Sequence, residues 1–384
     1  MKRRSTIGCS PVGWIAVLTV ALSSCAVKPD FASQAVTEPE TVLRLEFGED
    51  NPRNSEGDFV ELKDGKILFV YSHYYGSSSS DHGTAYLASR VSSDRGRTWS
   101  TRDKIEVDNE GDMNIMSVSL LRLKSGEIAL FYARKNSLTD CIPMMRISKD
   151  EAATWGDPVT CVRDREGYFV LNNDRVIQRP DGRLLVPVSQ HNYPGGSFSL
   201  GGIIYCYYSD DNGKTWESSE AVPNPDSVVL QEPGLVILKD NSILMFMRTN
   251  AGTQIFSKST DGGMNWSLVN KSQLISPRSP ATIERIPQTD DLLAVWNCNL
   301  SMDEEISKKR TPLNIAISQD EGISWERIKM LEGDPMGWYC YTAMQFVDEQ
   351  VLLGYCAGNQ ATGGLNDTSI KSVNLSWVYQ GNQK

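Results

Sequence analysis

Ser209-Asp210-Asp211-Asn212-Gly213-Lys214-Thr215-Trp216 is one of five copies of an octet, S-x-D-x-G-x-T-W, spread along the 384 residues. The others run from Ser92 to Trp99, Ser148 to Trp155, Ser259 to Trp266 and Ser318 to Trp325; Ala152 once replaces the glycine, and Asn265 and Ser324 replace the threonine. Successive tryptophans stand 56, 61, 50 and 59 residues apart, a spacing that marks an array of like units. Each octet has the chemistry of a hairpin turn. Its Asp and Ser or Thr side chains bond nearby amides, its glycine takes a positive φ, and its tryptophan lies over the hairpin as an apolar lid.

Outward from the octets the pattern is short alternating segments between turn residues, with no long helical period, so the fold class is all-β. Upstream of each octet stands a strand-turn-strand unit: Phe59 to Tyr71, Val118 to Tyr132, Val176 to Val188, Leu235 to Met247 and Ala281 to Trp296. A sixth, Thr342 to Tyr355, has no octet and runs on to Asn374-Leu375-Ser376-Trp377-Val378. A unit with its octet hairpin supplies four strands, one blade of a propeller. The expectation is a six-bladed β-propeller of four-stranded antiparallel blades over 41–384, its last blade completed by Thr41 to Glu46; five blades and a cap are the alternative.

Before the repeats, Lys2, Arg3 and Arg4 precede the apolar run Val12 to Leu22, too short to span a membrane, which reads as a signal peptide over 1–24. Leu22-Ser23-Ser24-Cys25 resembles a bacterial lipobox, which implies lipidation at Cys25, a tether over 25–40, and an exported protein anchored at the cell envelope. The non-Asp residues after Cys25 resemble outer-membrane sorting patterns; an ordinary cleaved signal is the alternative. Loss of 1–24 takes the formal net charge from −10 to −13, which argues against nucleic acid. Three histidines and no C-x-x-C spacing argue against zinc; no metal and no cofactor are implied. Disulfides are expected to be dispensable, with Cys141 and Cys161 the most plausible pair.

The octet resembles the Asp-box of the sialidase superfamily, also known as the BNR repeat, where it is structural. The resemblance extends to the points where the inner strands of the units converge. Sialidases carry three arginines that grip a carboxylate, a tyrosine nucleophile activated by a glutamate, and an aspartate acid/base. By that resemblance Gln231-Glu232-Pro233 followed by Arg248, the segment Arg310 to Ser318, and Tyr341 in Cys340-Tyr341-Thr342 match the glutamate, two of the arginines and the tyrosine. Asp81, in Ser80-Asp81-His82-Gly83, matches the acid/base loop, and Arg53 the first arginine. Tyr339 and His82 compete with Tyr341 and Asp81.

These residue types suit the chemistry implied. Guanidinium groups bind a carboxylate bidentately, and a neutral tyrosine attacks beside an anionic group without the repulsion a carboxylate nucleophile would meet. The sequence also departs from the family. Arg53-Asn54-Ser55 replaces the usual Arg-Ile-Pro, and Cys356 stands where a glutamate orients the first arginine. Asn173, Asp174 and Arg175, like Glu56, bring polar groups to the mouth that match no sialidase segment. They are expected to bind substrate together with Arg53, Arg248 and Arg310. The expected activity is a sialidase-type glycoside hydrolase removing a terminal, acidic sugar such as sialic acid from a glycan. Hydrolysis of a neutral or uronic sugar through a pair of carboxylates, and glycan binding without turnover, remain as alternatives.

Overall fold

The computed structural model describes residues 29–298 and 309–380, beside Met1, so the stretch read as a signal peptide, after Met1, and Cys25 lie outside the described residues. The chain is almost wholly β. Asn54–Glu61, Ile67–Tyr74, Ala85–Ser92 and Lys104–Val107 form the first four-stranded antiparallel sheet. Gln231–Ile237, Ile243–Arg248, Thr253–Ser259 and Asn270–Ile275 repeat it, as do Thr282–Arg285, Leu292–Asn297, Leu313–Ser318 and Glu326–Glu332. The last sheet takes Gly337–Val347, Gln350–Asn359 and Thr368–Asn374 from the C-terminal end and Glu40–Leu45 from the N-terminal end, with Leu45 opposite Thr368. The two ends of the chain thus share one sheet, which pairs the edge strand that expectation had left to the N-terminus.

The second and third units depart from separate sheets. Tyr168–Val170 pairs antiparallel with Leu184–Asn192 and, at Tyr168, parallel with Cys141, joining both units into one nine-stranded sheet. Each inner strand packs on its neighbours: Asn54–Glu61 against Asn114–Arg122 and Gly337–Val347, and Gln231–Ile237 against Leu184–Asn192 and Thr282–Arg285. The apolar alternation follows, so that Val60, Leu68 and Val70 of the first sheet bury against Val118, Leu120 and Leu130 of the second unit.

All five octets fold alike. The serine Oγ accepts from the fifth residue's amide, 2.8 Å for Ser209 and Gly213, and the Asp accepts from both the amide and the side chain of the seventh, 2.9 and 2.7 Å for Asp211 and Thr215. Positions four and five take left-handed φ, 58° at Asn212 and 83° at Gly213, and Ala152 tolerates 61°. Two octets also bolt neighbouring units. The Glu151 carboxylate accepts from the Lys63 amide at 2.9 Å and pairs with Arg122, and Glu321 does the same for Lys239 at 2.8 Å and Arg285.

Two expectations are corrected. Within the stretch read as a tether, Phe31 is buried against Tyr379, Ala35 O accepts from Ser376 Oγ at 3.0 Å, and Glu38 from Trp377 Nε1 at 2.9 Å, so residues from Phe31 onward dock on the body. These contacts fall on the short helix Leu375–Tyr379, which Asn374 caps by accepting from the Ser376 amide. Cys141 and Cys161 are free thiols, as are the other four described cysteines.

Candidate active site

The inner strands bend where they meet. Glu56, Ser117, Asp174, Glu232 and Tyr341 all take left-handed φ between 47° and 61°. Four of them sit at register shifts, between Ser55 and Asp58, Met116 and Ser119, Gln231 and Gly234, and Cys340 and Ala343. A bulge of this kind turns a side chain out of the strand's alternation. Here it turns Glu56, Ser117, Glu232 and Tyr341 into a shared cavity of about 290 Å³.

Glu232 and Tyr341 face one another there. The Tyr341 hydroxyl donates to Glu232 Oε1 at 3.2 Å, while Arg248 Nη1 reaches the same oxygen at 2.7 Å and the hydroxyl at 3.4 Å. Arg310 stands over the tyrosine ring, 5.1 Å from its centroid, with Nη1 donating to Cys340 Sγ at 2.9 Å. Glu232 Oε2 and Arg248 Nε are buried without a protein partner. Burial pushes the Glu232 carboxyl up, but Arg248, Arg310 and Arg175 outweigh it and hold it below the usual range. Burial and the adjacent Glu232 raise the Tyr341 phenol instead. The result is a carboxylate kept ionised beside a neutral phenol, with one acceptor oxygen open.

Asp81 enters from a loop, its side chain 57% exposed, and pairs with Arg53 Nη1 at 2.6 Å. Burial opposes ionisation of Asp81, yet Arg53 prevails and keeps it low. Glu56, by contrast, is pushed up chiefly by burial. It binds Arg53 Nη2 at 2.8 Å and accepts from the Ser117 hydroxyl.

Of the expected residues, Asp81, Glu56, Glu232, Arg248, Arg310 and Tyr341 line the cavity together. Arg53 does not. It is 1% exposed, and Ser55, Glu56 and Asp81 occupy its nitrogens, because Asn54-Ser55-Glu56 places acceptors within its own reach. Asn173, Asp174 and Arg175 are also absent from the lining. Asn173 donates to Gly57 O and Tyr341 O, both at 3.0 Å, and Asp174 opens on a second cavity of about 1060 Å³ that does not share the Glu232–Tyr341 couple. Tyr339 packs edge-on against Tyr355, and neither it nor His82 reaches the lining.

The sequence reading missed Lys135, Met116, Tyr168 and Phe198. Lys135 sits opposite Asn114 as Arg248 sits opposite Gln231, so unit-to-unit register would have found it; Arg134, one residue off, lies opposite Ile115. Lys135 Nζ donates to Asp81 O at 2.6 Å. Phe198 stacks on His191 at 5.3 Å and packs edge-on against Tyr168, adding aromatic rings to the cavity lining.

The family profile of the BNR repeat-like domain matches residues 108–353. The chain is 23% identical over 283 residues to a sialidase of Paraclostridium sordellii, covering 65% of this chain and 67% of that protein. It is 30% identical over 170 residues to an anhydrosialidase of the leech Macrobdella decora, covering 41% of this chain and 21% of that one. Among solved structures, a leech intramolecular trans-sialidase superposes with a TM-score of 0.70 at 15% identity, over 89% of this chain and 71% of the other. A Dyadobacter fermentans protein of unknown function gives 0.69 at 17%, over 88% and 99%. At these identities the superpositions establish a shared fold.

Proposed function

This chain belongs to the BNR repeat-like family of the sialidase superfamily, and we propose that it is a sialidase-type glycoside hydrolase on a six-bladed propeller, removing a terminal acidic sugar from a glycan. Sialic acid is the first candidate. Six hairpin units, adjacent ones packed on each other, and one sheet that takes strands from both the N-terminal and C-terminal ends of the body support the six-bladed reading. The N-terminal sequence supports an exported protein anchored at the cell envelope through Cys25.

The observation that carries the chemical reading is the Tyr341 hydroxyl hydrogen-bonded to an ionised Glu232 between two arginines. Arg248 and Arg310 receive the sugar's acid group. Tyr341 Oη attacks the anomeric carbon as its proton passes to Glu232, and Asp81 gives a proton to the departing oxygen. Asp81 then takes a proton from water, whose oxygen attacks the anomeric carbon, and Glu232 returns the proton to Tyr341. Asp81 must gain a proton before the first step. The charge of the incoming anion favours the protonated form of Asp81, and turnover is expected to fall as pH rises and that form is lost. The withdrawal of Arg53 behind Asp81 and Glu56 fits an acid group held by two guanidinium groups.

The test is hydrolysis of a panel of aryl glycosides, acidic and neutral, by the parent and by Tyr341→Phe. Release from acidic glycosides by the parent alone is the expected result. Turnover of neutral glycosides by both proteins would overturn it.

A further inference from the structure

Beneath Glu232 and Tyr341 lies a charge that lines neither cavity. Arg175 is 1% exposed, and its Nε and Nη2 have no protein partner. Nη1 makes a long contact of 3.4 Å to Thr282 Oγ1, whose own hydrogen goes to Thr342 O at 2.6 Å. The guanidinium rests 5.3 Å from the Phe246 ring centroid, and a Cβ on Gly234, two residues beyond Glu232, would come within 3.0 Å of Nη1. The same Cβ would run into the Phe246 ring, so glycine at 234 leaves room for the ring and for the guanidinium resting beside it.

The segment around it is fastened to the strand of Tyr341. Asn173 Nδ2 donates to Tyr341 O at 3.0 Å, and the Asp174 carboxylate accepts from the Met344 amide at 3.2 Å. A guanidinium does not shed its proton in a protein, so a buried one with two unpartnered nitrogens must be balanced by nearby anions. The nearby carboxylates are Asp174, its neighbour in the chain, and Glu232.

We infer that Arg175 is a positioning residue: a fixed cation under the Glu232–Tyr341 couple that keeps Glu232 ionised as the base for the phenol, without touching substrate. This rests on the glycosidase reading. Glu232 also faces Arg248, Arg310, Tyr341, Glu56 and His191, so Arg175 is one of three cations acting on it. It is the one of the three that lines neither cavity.

The experiment follows the Glu232 carboxyl carbon by 13C NMR against pH, assigned with Glu232→Gln, in the full chain and in Arg175→Met and Arg175→Lys. kcat and KM are measured over the same pH range on whichever acidic glycoside the parent hydrolyses. In Arg175→Met the Glu232 midpoint is expected to rise by about one pH unit, and the acid limb of kcat/KM to rise with it, while KM changes less than about threefold. Arg175→Lys keeps the charge and is expected to keep the midpoint. Should Arg175→Met not fold, Arg175→Gln, which removes the charge and keeps N–H donors for the buried site, is expected to show the same rise. An unmoved Glu232 midpoint in the folded neutral variant would overturn the inference. A moved midpoint without turnover on any glycoside would sink the glycosidase reading instead.

Discussion

The octet turns at the rim and the bulges at the centre use the same backbone device to opposite ends. Both hold non-glycine residues at left-handed φ: Arg95, Glu151, Asn212 and Glu321 in the turns, Glu56, Ser117, Asp174, Glu232 and Tyr341 in the bulges. In the turns the third-position Asp is satisfied within the turn by the seventh residue, and the five copies share the same bonding. At the bulges no two side chains are alike, and Glu232 Oε2 and Arg248 Nε are left without partners. A closed hydrogen-bond set makes a repeat that tolerates copying. An open one makes a site, because its unmet valences are available to a ligand.

Acid should separate the two regions most strongly. Hydrogen bonds to Thr98 hold the Asp94 carboxyl at about 2, against its partial desolvation bonds to Thr215 hold Asp211 at about 2, and Arg122 holds Glu151 at about 2. Each lies below its unfolded value, so this stability is present above about pH 4 and is lost as pH falls towards 2. Urea unfolding midpoints measured from pH 6 down to 2 should hold or rise slightly at first, as Asp174, raised by burial to about 6, takes up its proton, and then fall steeply. A midpoint already falling between pH 6 and 5 would place the acid-sensitive groups elsewhere.

At the centre, Arg248→Met strands Glu232 in a buried site and is expected to cost about 3–5 kcal/mol in denaturant unfolding, less whatever Glu232 recovers by taking up a proton. A loss under about 1 kcal/mol would show that Glu232 is already neutral. At the rim, Asp94→Ala removes the acceptor of the Thr98 amide and hydroxyl and is expected to cost about 1–3 kcal/mol, with turnover unchanged.

How far each region could be read beforehand follows from the same contrast. The octets, the six hairpin units and the closing strand at Thr41 to Glu46 were legible because their signals are local: turn residues at fixed offsets between alternating segments. Glu232, Arg248, Arg310 and Tyr341 were legible through the family likeness. Tyr168–Val170 was not, since three residues carry no period and their pairing partners lie on two different units. Nor were the bulges, because Glu, Ser, Asp and Tyr at left-handed φ leave no glycine to mark the bend. That blindness put Asn173 to Arg175 in the pocket, when the turn at Asp174 directs the segment inward beneath it.

The smallest effect is the one octet that breaks its own rule. Ala152, at φ 61°, should gain about 1 kcal/mol on replacement by glycine, whereas Gly96→Ala should lose at least as much, its new Cβ meeting Leu352 Cδ1 at 2.5 Å. Thermal unfolding of both variants checks the opposed signs. Equal signs would mean that the fifth position is set by packing and not by backbone strain.

The central claim is that the open bonds at the bulges serve a tyrosine nucleophile. It is tested most directly by trapping, with an acidic-sugar glycosyl fluoride carrying a second fluorine beside the anomeric carbon, followed by peptide mass spectrometry. A sugar adduct on the peptide containing Tyr341, absent in Tyr341→Phe, is the expected result. An adduct on Glu56 or Glu232, or continued turnover by Tyr341→Phe, would contradict it.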